Sequence, residues 1–99
     1  MDTSIVLEAS DLDARTEVLK AIAEPTRLEI LEMLSRQIRC NCHFQEQLGL
    51  DPNLLSYHLK VLREAGLIEG TKRGRWVDYA LTPKAVGLVA SSLPEGLRS

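Results

Sequence analysis

The side chains best suited to chemistry lie together near the middle of the chain, in Cys40-Asn41-Cys42-His43. Thiolates are soft ligands that select thiophilic ions. Arg39 precedes the pair and a helix is expected to open near Cys42, so positive charge beside the sulfurs favours the reactive thiolate. The spacing has a mechanical consequence. Residues two apart do not share a helix face, yet two sulfurs on one ion must lie within roughly 4 Å if each metal–sulfur bond is about 2.3 Å. Chelation is therefore expected to unwind or reorient the first turn of that helix. His43 is a candidate further ligand for zinc or cadmium, or else a solvent-facing helix residue. With only two cysteines, two positions apart, a secreted disulfide framework is not expected.

A second group of residues suits a polyanion. Asn53, Ser56 and Tyr57 offer donors and acceptors for base edges, while Lys60, Arg63, Lys72, Arg73 and Arg75 would neutralise phosphates. No Gly-rich phosphate loop, nucleophile elbow or convincing carboxylate pair is present, so an enzyme is not expected. His58 is assigned a structural hydrogen bond that braces its helix, with DNA contact as the second role, and Trp76 and Tyr79 a packing role at the hairpin.

These side chains need elements to hold them. Apolar residues at helical spacing predict a first helix from Asp11 to Ala23, with Leu12, Val18, Leu19 and Ile22 inward. Glu24-Pro25 ends it and opens a second, Pro25 to Arg36, with Leu28, Ile30, Leu31 and Leu34 as its stripe. Residues 37 to 40 read as a connection. A third helix, about Cys42 to Leu48, stops at Gly49. Asp51-Pro52 is a strong start for a fourth, Pro52 to Ala65, which buries Leu55, Leu59 and Leu62. Two short helices and a tight turn make a helix-turn-helix over 42–65. The period then changes to that of strands, with Leu67-Ile68-Glu69 and Arg75 to Leu81 flanking a basic tip, Gly70 to Gly74. This hairpin, 67–81, is a wing. A weakly polar last helix over 83–93 suggests burial against a partner subunit, and residues 1–10 read as an N-terminal extension.

The whole is one mainly α domain over 1–99: a winged helix-turn-helix of about five helices plus a two-stranded wing. With 44% apolar but 4% aromatic residues the core must be aliphatic, and so short a chain would gain from dimerisation. Nothing in the sequence resembles a signal peptide or a membrane span, so a cytoplasmic protein without membrane partners is expected. The formal charge of −2 argues against nucleic acid until placement is considered: residues 1–50 carry −4 and residues 51–99 carry +2. The acid lies in the helical half and the base in the segment expected to meet DNA.

The run Leu19-Lys20-Ala21-Ile22-Ala23-Glu24-Pro25-Thr26-Arg27-Leu28-Glu29-Ile30-Leu31, the run from Leu54 to Ile68, and Gly74-Arg75-Trp76-Val77 resemble the ArsR/SmtB family of metalloregulatory winged-helix repressors. The resemblance covers about residues 17 to 83. It implies a homodimer, joined mainly through its first and last helices, that occupies double-stranded operator DNA and leaves it when an inducer binds. It also places Cys40 and Cys42 where arsenic-type members hold sensing cysteines, which implies As(III) or Sb(III) as inducer and no permanent cofactor. The third cysteine of the best-known arsenic pattern would fall near Gln45 and is missing, so a third ligand would be a non-protein thiol or solvent. Mercury, which two thiolates satisfy completely, is the main rival. Cadmium on Cys40, Cys42 and His43 is another, and a dithiol redox or persulfide sensor is a third.

Overall fold

The computed structural model describes residues 9–98. Asp11 in the first turn and Lys20 in the last turn of α1 (Ala9–Ile22) complement the helix dipole. The expected N-terminal extension lies outside the described residues up to residue 8, and residues 9 and 10 already belong to α1. At the corner that follows, Glu24 adopts an extended backbone and its carboxylate accepts the Arg27 N–H at 3.0 Å. Pro25 then opens α2 (Pro25–Arg36) at a position where no N–H is needed.

The helix-turn-helix forms as the caps predict. The third helix, α3 (Asn41–Leu48), ends on Gly49 with φ 59°, a left-handed stop. The Asp51 carboxylate accepts the Asn53 N–H at 2.7 Å and starts α4 (Pro52–Glu64). The final helix, α5 (Ala85–Ser92), is shorter than expected and packs along α1. Beyond α5 a 3-10 turn covers Glu95–Leu97, and Arg98 donates to the Leu93 and Ser91 carbonyls at 3.0 Å each.

The wing differs from expectation in two ways. It is not two-stranded but three-stranded and antiparallel, in the order β1 (Arg39–Cys40), β3 (Trp76–Leu81), β2 (Ile68–Arg73). The extra strand comes from the segment taken for a plain connection, because two residues are too few to show alternation. The basic tip is also shorter: β2 runs on through Thr71, Lys72 and Arg73, leaving Gly74 and Arg75 as a two-residue turn. Gly70 is required within β2, since a Cβ there would meet Val77 Cγ1 at 2.9 Å and Tyr79 Cε1 at 3.0 Å.

The core sits where α2, α3 and α4 meet the sheet. Ile30, Phe44, Leu62, Leu67 and Ile68 are almost fully buried, with Val18 and Ala21 from α1 beside them. Two residues expected inside are not. Leu12 is 46% and Leu28 50% exposed, and Met33 takes the core position on α2 instead. Leu28 joins Val86 and Leu97 along an apolar groove between α2, α5 and the tail.

Candidate nucleic-acid interface and dithiol site

On α4, Leu55, Leu59 and Leu62 face the core, and Asn53, Ser56, Tyr57, Lys60 and Arg63 remain exposed. The 3.6-residue period explains the division: positions 53, 56, 57 and 60 form one surface row opposite the leucines. A helix carrying such a row at its N-terminal half can present it to base edges.

What fixes this helix is a contact that the sequence did not announce. His58 is buried on α4, and Arg27 of α2 approaches its Nδ1 with Nη1 at 3.1 Å. Because guanidinium can only donate, Nδ1 must present its lone pair there. Arg27 also donates through Nε to the Ala21 carbonyl at 2.7 Å and through Nη2 to the Lys20 carbonyl at 3.2 Å. One arginine thus satisfies the carbonyl end of α1 and braces α4. Glu24 lies alongside, its Oε2 3.6 Å from His58 Nδ1. Burial acts to raise its pKa, but the N–H groups of Arg27 and Thr26 and the positive charge of Arg27 outweigh this and lower it. The expected structural role of His58 is therefore observed, and its partner comes from another element, α2. The cue that was legible was Glu24 before Pro25, a cap in front of a helix start.

Lys72, Arg73 and Arg75 are exposed at the far end of the wing, though not equally free. Asp78 holds Arg73 by two hydrogen bonds, from Nε at 2.8 Å and Nη2 at 3.1 Å. The fork from Arg73 keeps the Asp78 carboxyl below its ordinary pKa although partial burial works against this, and the positive charge of Arg73 adds to the effect. The Arg75 guanidinium lies 5.3 Å from the Trp76 ring centroid, a cation–π contact. Trp76 is not a packing residue at the hairpin base. It is 38% exposed beside the turn, because its register partner is Arg73. Tyr79 does pack as expected, its ring tilted against Phe44.

Cys40 is the last residue of β1, buried and extended, and Cys42 is in the first turn of α3. Their sulfurs are in bonding contact as a disulfide, with Cα atoms 5.2 Å apart. The sulfurs meet with α3 intact from Asn41 to Leu48. Cys40 stands outside the helix as its N-cap, so the rule against i, i+2 pairs on one helical face does not apply. Its Sγ accepts the Cys42 N–H at 3.2 Å, so the amide dipoles of the helix start are aimed at this sulfur. His43 is exposed, and no third His, Cys, Asp or Glu gathers with the pair among the described residues. His43 instead flanks, with Asn41, Cys42 and Trp76, a shallow surface hollow.

Residues 24–70 match the profile of a family described as bacterial regulatory protein, arsR family. Over 76 residues, 75% of this chain and 72% of the relative, the sequence is 40% identical to the arsenical resistance operon repressor of Bacillus subtilis (strain 168). The chain belongs to the ArsR family. It is also 40% identical over 70 residues to the HTH-type transcriptional repressor SmtB of Mycobacterium tuberculosis, covering 71% of this chain but only about half, 52%, of that relative's length. Among solved structures, HlyU from Vibrio cholerae is similar at a TM-score of 0.72 and 30% identity, over 84% of this chain and 90% of the other. The ArsR-family match opens on Glu24, the cap of α2, and closes on Gly70, the glycine that β3 side chains press against. The family and these relatives are transcriptional regulators and not enzymes. No helix among the described residues is long and apolar enough to cross a membrane.

Proposed function

We propose that this ArsR-family chain is a cytoplasmic, homodimeric repressor that binds double-stranded operator DNA and leaves it when As(III) or Sb(III) binds Cys40 and Cys42. The observation that carries the reading is the pair of adjoining sulfurs at the start of α3, beside a helix with an exposed polar face. In this reading α4 enters the major groove, where Asn53, Ser56 and Tyr57 meet base edges. Lys60, Arg63, Lys72, Arg73 and Arg75 meet phosphates. The exposed apolar side chains of Leu28, Val86 and Leu97, with α5, suit a second copy of the chain. The B. subtilis relative's name supports arsenic as inducer. Two protein thiolates leave one position of a trivalent ion to a non-protein thiol or solvent. No permanent cofactor is needed.

A second reading has its own support: the sulfurs already in bonding contact suit a dithiol redox sensor. Fluorescence anisotropy on DNA from upstream of the gene separates the two. Arsenite should release reduced protein under anaerobic conditions, and diamide should not be required. Release by diamide alone, with arsenite inert, overturns the metalloid reading. Release by Hg(II) or Cd(II) but not arsenite would replace the inducer and keep the site. Replacing Lys60 by Ala should weaken binding to any sequence and make the slope of log affinity against log salt shallower by about one unit.

A further inference from the structure

We propose that Asn41 is the positioning residue that couples the cysteine pair to the DNA-contacting wing. The proposal rests on the functional reading above and names the path by which that site acts. A path from the cysteines through α3 to α4 would follow the chain, but the hydrogen bonds lead elsewhere.

β1 ends at Cys40, where the backbone turns away into α3. The Asn41 side chain adds a polar contact just past that point: its Oδ1 accepts the Val77 N–H of β3 at 3.3 Å. On either side of Val77 the wing meets the same site. Asp78 is the register partner of Cys40, and it is Asp78 that grips Arg73. Trp76 borders the hollow that Asn41, Cys42 and His43 line. Three consecutive wing residues are thus tied to the segment Cys40–His43, and one of them sets the position of a cation assigned to DNA.

Asn41 is also the residue between the two ligands. An ion that changes the distance or direction between the Cys40 and Cys42 sulfurs by more than rotation about their Cα–Cβ bonds absorbs moves the peptide units joining them, and the Asn41 side chain moves with those units. Its bond to Val77 is already near the long end of the usual range, so a displacement of a few tenths of an ångström breaks it. The bond therefore differs between the free and ligand-bound states, which is what coupling requires.

The test compares wild type, Asn41→Ala and Asn41→Asp as reduced full-length protein, with arsenite and Hg(II) as probes. Asn41→Ala should bind both probes with unchanged stoichiometry and the operator with affinity within about twofold of wild type, while probe-driven loss of operator affinity falls by about fivefold or more. Asn41→Asp, which keeps the acceptor, should restore it. Emission from Trp76, the only tryptophan, should respond to the probe in wild type and Asn41→Asp but not in Asn41→Ala. Full release of Asn41→Ala overturns the proposal, as does failure of Asn41→Asp to restore coupling while it still binds the probe. Should Asn41→Ala not fold, amide exchange at Val77 in wild type decides: faster exchange on adding the probe supports the path and unchanged exchange overturns it. If arsenite fails on wild type and Hg(II) succeeds, only the inducer reading falls and the comparison is made with Hg(II). If neither probe releases wild type, both fall.

Discussion

The two helices of the helix-turn-helix are neighbours in sequence and are held by different forces. In α4, Leu55, His58, Leu59 and Leu62 are buried, and Arg27 braces the helix from outside. In α3 only Phe44 is buried, and the first turn is secured by polar contacts: the Cys42 N–H on the Cys40 sulfur and the Asn41 side chain on Val77. A buried leucine contributes roughly 1.5–3 kcal/mol, whereas a neutral hydrogen bond contributes about 1 kcal/mol. The α4 helix is thus fixed by terms that only unfolding removes, and the first turn of α3 by terms that a ligand can exchange. In the proposed function this suits the one to reading DNA, which needs fixed geometry, and the other to sensing, which needs an inexpensive rearrangement.

That contrast can be broken at four places of decreasing effect. Leu62→Ala, at a site with no exposure, should destabilise the domain by about 2–5 kcal/mol in urea unfolding; a loss below 1 kcal/mol would mean that α4 is not anchored as described. Arg27→Ala strands His58 Nδ1 and two carbonyls of α1, for an expected loss of about 1–3 kcal/mol. His58→Ala in the Arg27→Ala background should then cost clearly less than in wild type, and simple additivity in that double-mutant cycle would deny the clamp. Asp51→Ala removes the cap of α4 and should lower stability by about 1 kcal/mol, with Tm as the readout.

The smallest effect is electrostatic. The folded pKa of Asp78 is below its unfolded value, so its contribution is complete above about pH 4 and is lost as pH falls through the folded value. Trp76 emission should therefore report a loosening of the wing in acid, weaker in high salt because the pair is exposed. In Asp78→Asn that transition should be missing. If it persists unchanged, another carboxyl controls the wing.

Much of the scaffold was legible because it is local. Pro25 and Asp51-Pro52 mark helix starts, Gly49 and Gly66 mark stops, and the leucine period of α4 names both its buried and its exposed faces. The cysteine pair was legible by residue type. What could not be read was every feature whose partner is remote. β1 is a strand only because β3 lies beside it. Arg27 looks like any surface arginine until α4 supplies His58, 31 positions later. Leu28 fits a buried stripe by period, yet among the described residues it stays half exposed on the groove it shares with Val86 and Leu97.

By itself, then, the sequence determined the helix ends, the aliphatic core of α4, the order of helix, turn, helix and wing, and the presence of a soft-ligand pair beside a basic segment. All of these depend on backbone preferences and periodicities within a few residues. The tertiary structure alone decided that the two sulfurs meet without unwinding α3, since that depends on Cys40 being held in a strand against Asp78. It decided equally that the pair adjoins the wing through Asn41 and Val77, a contact between residues 36 apart that no local pattern encodes.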